Sequence, residues 1–224
     1  MTNDTANSGE LVPRPTPAEK GLDIAAVVAS AIPWLGGPVS AVLSGVSFGR
    51  KVDRVRDVLE QVSEELRGLE AEASKDYVKT EDFEELLEQT LRKVADERSE
   101  EKRHIYALFL GDAIRSPGEP YDEQLRYLRT LEALQPDHLR VLKALAAPPE
   151  GGDGLMGSPA QTLQQRLPDM GADRITDLVS QTNDLRVTNL TGLNATMTFR
   201  GSQQLSQTIT PYGQRFLVYV TRDE

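Results

Sequence analysis

The side chains able to do chemistry are few, and their spacing argues against catalysis. The chain has two histidines, His104 and His138, and no cysteine. Without cysteine there are no disulfides, no thiolate nucleophile and no cysteine-ligated zinc, which fits a reducing cytoplasm. The two histidines fall in different predicted helices, on solvated faces or beside apolar stripes. A two-histidine metal site would need carboxylates brought to them by the fold. Both read as ordinary surface or interface histidines, and no metal is expected. Composition leaves a Ser/His/Asp triad open, with no nucleophile elbow read for it. The glycine-rich GGDGLMG at 151–157 lacks the Lys-Ser/Thr of a P-loop and the helix register of a phosphate cradle. The many glutamates of 81–101 are spread round a helix surface, where they solvate it rather than pair for acid–base work. The expectation is a non-enzymatic protein with no cofactor.

A second set of residues suits binding rather than catalysis. Arg174, Gln181 and Asn183 lie on one predicted helix, with Arg186 and Arg200 following it, all types that contact bases or phosphates. Against DNA stand Asp173, Asp177 and Asp184 on or beside that helix, the lack of lysine in 151–224, and a net charge of -10. An acidic surface repels phosphate. DNA is therefore an alternative partner, and another protein or a second copy of the chain is the leading one.

The elements that position these residues follow from punctuation and periodicity. Residues 1–20 are rich in Thr, Asn, Ser and Pro and read as a disordered tail. Between Asp23 and Arg50 there is no charge. Residues 24–48 have membrane-spanning length, but Pro33 and Gly36-Gly37-Pro38 break them into a helical hairpin. Its apolar residues Val27, Val28, Ile32, Trp34, Leu35, Val39, Val42 and Leu43 suit a packed or assembling hairpin, or one that meets a membrane. Val52, Val55, Leu59, Val62, Leu66 and Leu69 recur at alternating spacings of three and four. That is a heptad seam on a helix over 51–70, open to its own chain or to an oligomer partner.

Further amphipathic helices fill 80–134, the first capped by Thr80, and DERSEEKR at 96–103 is read as a solvated continuation or a short break. From Pro136 the order is helix, helix, helix, strand, strand, helix. Asp173 caps the third helix. Leu185, Val187 and Leu190 alternate as a strand, as do Met197 and Phe199, and Thr210-Pro211 opens the last helix. Such an order is that of a winged helix. The fold class is mainly α: an apolar hairpin and helical bundle over 21–134, then a winged-helix-like α+β domain over 135–224 containing the glycine-rich loop 148–158.

The run EEKRHIYALFLGDAI, then YDEQLRYLRTLEALQPDHLRVLKAL, then a tail closing on ITPYGQRFLVYV resembles small bacterial helical proteins with a C-terminal winged helix, abortive-infection alpha-like ones among them. The resemblance covers about residues 80–224 and is carried by leucine positions, caps and a terminal TPxGxxF helix. It implies a role in phage defence and supplies no catalytic residues. The resulting expectation is an oligomerising interaction or regulatory protein. The alternatives are a dimeric DNA-binding transcription regulator and a membrane-perturbing effector. The expected location is the cytoplasm, with membrane association through residues 24–48 as the alternative to their packing in a core.

Overall fold

Caps and prolines set where the helices begin. A computed structural model of the chain describes Val39 and residues 50–66, 72–147, 159–190 and 208–221. The tail, the hairpin segment apart from Val39, the glycine-rich loop and the run through Met197 and Phe199 lie outside the described residues. The order is α1 (Arg50–Glu65), α2 (Glu72–Tyr77), α3 (Glu81–Asp96), α4 (Glu100–Arg115), α5 (Tyr121–Ala133), α6 (Pro136–Ala146), α7 (Pro159–Arg166), α8 (Ala172–Asp184) and α9 (Pro211–Val220). The protein is mainly α.

Thr80, Ser99 and Thr210 each accept a hydrogen bond from the backbone N–H three residues on, at 3.3, 3.2 and 2.9 Å. This satisfies one of the donors a helix start leaves unpaired. Pro136 and Pro211 occupy the first turn of α6 and α9, where a missing N–H costs nothing. Asp173 was expected to cap α8. The cap is Gly171 instead, with no side-chain bond, and Asp173 sits in the first turn. The stretch DERSEEKR is a true break: α3 ends at Asp96 and Ser99 starts α4.

The centre of the molecule is α4. It buries Ile105, Tyr106, Phe109, Leu110, Ala113 and Ile114, and with them Lys102 of the stretch read as solvated. Around it pack α1, α3 and α9, with α2 and α5 at its edges. The heptad seam of α1 belongs to this core. Val52, Val55, Leu59, Val62 and Leu66 are at most 2% exposed within the single chain, so they are closed to an oligomer partner; Leu69 lies outside the described residues. Val39 is also fully buried in the same cluster. Among the described residues no helix is long and apolar enough to cross a membrane.

A smaller cluster forms where α6, α7 and α8 meet, from Val141, Leu145, Leu163, Leu167, Ile175 and Leu178, closed by Leu190 and Ile209. The helix α6 serves both cores, since Leu139 and Leu142 belong to the larger. The last helix, α9, returns to the larger core with Tyr212, Phe216, Tyr219 and Val220. The boundary read at residue 135 therefore does not divide the packing. The strand read from Leu185, Val187 and Leu190 is a helix end and a turn. Leu185 ends α8, Arg186 takes φ 58°, and one isolated antiparallel bridge joins Thr188 to Ile209. No strand forms among the described residues.

The TPxGxxF helix now has a physical account. Thr210 caps it, Pro211 opens it and Phe216 is fully buried. Gly213 lies so close to the 187 turn that a Cβ there would sit 2.0 Å from the Val187 carbonyl oxygen. Gly213→Ala should therefore cost about 3 kcal/mol or more in urea unfolding, the upper range for overpacking. Gly118→Ala, where an added methyl meets nothing within 4 Å, should change stability little. Leu59→Ala should lower stability by about 2–5 kcal/mol through a core cavity. Its unfolding midpoint should be independent of protein concentration, as required if the seam packs within one chain.

Candidate functional site

Of the residues nominated for binding, Arg174, Gln181, Asn183 and Arg186 lie on α8 and the turn that follows it, and two of them, Gln181 and Asn183, are engaged in holding that region together. Asn183 is half-buried. Its side-chain oxygen accepts from the Leu190 backbone N–H at 2.9 Å and from the Thr188 hydroxyl at 2.6 Å, and its amide donates to the Leu190 carbonyl. One side chain thus closes the turn that sends the chain from α8 toward the Thr188–Ile209 bridge. Short polar side chains are suited to this because they reproduce backbone hydrogen-bonding geometry locally. Thr182, fully buried, bonds Thr188 from inside the same turn at 2.8 Å.

Gln181 is joined to the interior. Its side-chain oxygen faces His138 Nε2 at 3.0 Å, and His138 Nδ1 accepts the Gln135 backbone N–H at 2.9 Å. Accepting at Nδ1 fixes the tautomer, so Nε2 carries the proton and donates to Gln181. His138 is only 2% exposed, so of the surface and interface readings the surface one does not hold for it. Burial holds this imidazole below the ordinary histidine value against the opposing hydrogen bonds to Gln181 and Gln135, and Arg174 adds to the lowering. His104 is on the surface of α4, its Nδ1 2.8 Å from the Gln61 side-chain oxygen. Among the described residues, neither ring bonds a carboxylate.

Arg174 donates to Asp137 at 3.2 Å, and Arg140 spans Asp137 and Asp169 at 3.5 and 2.8 Å. These pairs are half exposed and contribute little to stability. Electrostatically they matter more, because Arg174 is partly neutralised before any phosphate arrives. The exposed residues of α8 include Asp173, Thr176, Asp177, Ser180 and Asp184. Arg186 is exposed at the turn, and Arg200 lies outside the described residues.

The remaining candidates lie elsewhere in the chain. Among the described residues no group of three His, Asp or Glu side chains could hold a metal ion. Gly45-Val46-Ser47-Phe48-Gly49 has the G-x-S-x-G spacing of a nucleophile elbow, which the reading above passed over; it lies outside the described residues. Gly152, Gly154 and Gly157 likewise have G-x-G-x-x-G spacing ahead of α7. A dinucleotide cradle needs a strand before those glycines, and α6 stands there instead. Of the hairpin residues, Val39 is described and buried, while Val27, Val28, Ile32, Trp34, Leu35, Val42 and Leu43 lie outside the described residues. A groove of about 410 Å³ between α1 and α4 is lined by Asp57, Glu60, Gln61, Glu64, Glu100 and Arg103. Its acidic lining is a solvated surface that sequence periodicity did not single out.

Sequence reasoning also missed the buried polar residues. Lys102 is 3% exposed and donates to the Glu132 carbonyl at 2.8 Å. Burial draws its ammonium below the ordinary lysine range, while Glu97 and Glu132 oppose that shift. Tyr127 lies among Tyr212, Phe216 and Tyr219, with ring centroids 5.7, 6.2 and 4.9 Å away. Tyr77 donates to Gln124, and burial pushes its phenol up to about 12. Sequence spacing does not reveal the partners of the Tyr77 and Tyr212 hydroxyls, which lie on another helix.

No family model matches the chain, and neither does any curated protein or solved structure.

The role assigned to Asn183 has a direct consequence. Asn183→Ala should remove the clamp on Leu190 and Thr188 and leave a buried backbone N–H without its partner. That should cost about 2–3 kcal/mol in chemical denaturation, the range for an unsatisfied buried donor together with its lost companion bonds. A cost below about 0.5 kcal/mol would mean the side chain is free for another task.

Proposed function

We propose that the chain is a non-enzymatic interaction protein of the cytoplasm whose C-terminal unit is winged-helix-like and works on a protein rather than on DNA. The helix order α6, α7, α8, the Thr188–Ile209 bridge and the closing α9 support the winged-helix-like reading. The observation that carries the choice of partner is the state of α8. Arg174 is paired with Asp137, Gln181 and Asn183 serve the fold, and Asp173, Asp177 and Asp184 are exposed on the same helix. A helix that reads DNA presents cations to the phosphates on either side of the groove, and this one presents carboxylates. Its partner, another protein or a second copy of the chain, would meet a polar and acidic surface.

Full burial of Val39 in the main core supports a packed rather than a membrane-inserted role for the segment around it. A regulatory part in bacterial phage defence rests on the resemblance of residues 80–224.

The test is fluorescence anisotropy with a labelled random duplex, at low and at physiological salt. The expected outcome is no salt-sensitive binding at micromolar protein. Binding that weakens steeply with salt and is lost in Arg174→Ala or Arg186→Ala would instead establish the DNA-reading alternative, since each phosphate contact adds to the salt slope.

A further inference from the structure

His138 occupies a peculiar place in the fold. It is in the first turn of α6, the helix that serves both cores, with Leu139 next to it in the larger cluster and Val141 one turn on in the smaller. Its ring completes the capping box of α6 through the Gln135 N–H and reaches across to Gln181 in the last part of α8. The Gln135 bond needs Nδ1 unprotonated, whereas Nε2 donates to Gln181 in either state, so the contact with α8 is lost only when the ring leaves its site. A proton added at Nδ1 would point at the Gln135 N–H, donor against donor. The resulting charge would be enclosed, since the residue is 2% exposed. A buried cation without a close counter-charge is costly, so the ring must move toward water to keep its proton.

The charges around it do not offset that cost. From α8 the facing group is Arg174, another cation. On α6 itself Asp137 opposes it, but Asp137 already pairs with both Arg174 and Arg140. Arg166 of α7 is turned to the Ala144 and Ala147 carbonyls at the far end of α6. Asp169, between α7 and α8, is held by Arg140. From α9, Tyr212 bonds Thr130 and the Arg126 carbonyl on α5, and Arg215 lies beside Tyr127. On α5, Glu132 pairs with Lys93.

We propose that His138 is an acid-sensitive latch: on taking up a proton it leaves its site, uncapping α6 and loosening α8, while the core around α4 stays packed. The sign follows from linkage. An unfolded histidine titrates near about 6.5, and burial holds the folded one lower. The latch is therefore fully closed above about pH 6.5 and opens as pH falls through the folded value. The device is independent of which partner α8 meets.

Hydrogen exchange read by mass spectrometry on the full chain at pH 7.5, 6.5, 5.5 and 5.0 tests this, with protection corrected for intrinsic rates. In parallel, the His138 ring is titrated by NMR, its resonances told apart from those of His104 with a His104→Gln variant. The expected result is loss of protection at 135–139 and 178–184 by up to about tenfold per pH unit, the limit for one proton. It should share the midpoint of His138 and leave 105–114 unchanged. In His138→Gln, which lacks a titrating ring, the pH 7.5 pattern should persist to pH 5.0. The proposal is overturned if α8 keeps its protection while His138 charges, if α4 loses protection in step with α8, or if His138→Gln opens at the same pH. Should His138→Gln not fold, coincidence or separation of the two wild-type midpoints decides the matter.

Discussion

Every α-helix ends in carbonyls with no partner in the helix, and most of this structure depends on how those ends are met. Here the partners are cations sent from neighbouring helices. Arg115 of α4 donates to the Glu65 carbonyl at the end of α1, and Arg54 of α1 to Ala95 at the end of α3 at 2.9 Å. Lys102 of α4 serves Glu132 at the end of α5, and Arg166 of α7 serves Ala144 and Ala147 at the end of α6. Neither α1 nor α5 has a basic residue in its own last turn. A cation at this position meets both the unpaired oxygens and the negative end of the helix dipole. Being partly enclosed, such a bond is stronger than a surface ion pair.

This arrangement explains why α4 is central. It carries Lys102 in its first turn and Arg115 in its last, so its two ends fix the ends of α5 and α1, while the side chains between are buried among α1, α3 and α9. Direction and register are set together: sliding α4 by one turn would unpair both cations and bury their charges, a larger penalty than a shift of apolar contacts. The same arrangement bears on function. Cations committed to helix ends are withdrawn from the surface, and Arg140 of α6 and Arg174 of α8 are paired with Asp137 and Asp169. Together with the net charge of -10, this supports the proposed preference for a protein partner over a phosphate backbone.

What was legible in the sequence was what local chemistry determines. Thr80 and Thr210 as caps, Pro136 and Pro211 as first-turn residues, and the seam of α1 all depend on neighbours within four residues, and each helix start appears where its cap stands. The seam left its partner open because apolar spacing is identical whether the other surface belongs to the same chain or to another. What was not legible depended on distance in sequence. Lys102 looks solvated in DERSEEKR because its acceptor is 30 residues away, and His138 looks superficial because Gln181 is 43 residues away. The short α2, in a stretch whose pattern loosens, is held by Val78 and Tyr77 against the core rather than by its own periodicity. The candidate site failed to emerge for a related reason. Arg, Gln and Asn are chemically fit to touch a base and equally fit to close a turn, and only the fold decides between the two uses.

The two cores are joined by α6 and α9 rather than by a linker, and this limits how the C-terminal unit can act. A module on a flexible tether binds its partner without informing the body. Here α6 shares residues between both clusters, and α9 runs from the Thr188–Ile209 bridge back to Tyr127, carrying Gly213 against Val187 on the way. A rigid displacement of α8 would strain the turn held by Asn183, which lies against α9 where Gly213 meets Val187, whereas a local loosening of α8 need not. Close-packed interiors transmit such strain because they have few voids to absorb it. A partner on the α8 face, as proposed, would meet a unit joined to the bundle by contiguous contacts rather than by a tether.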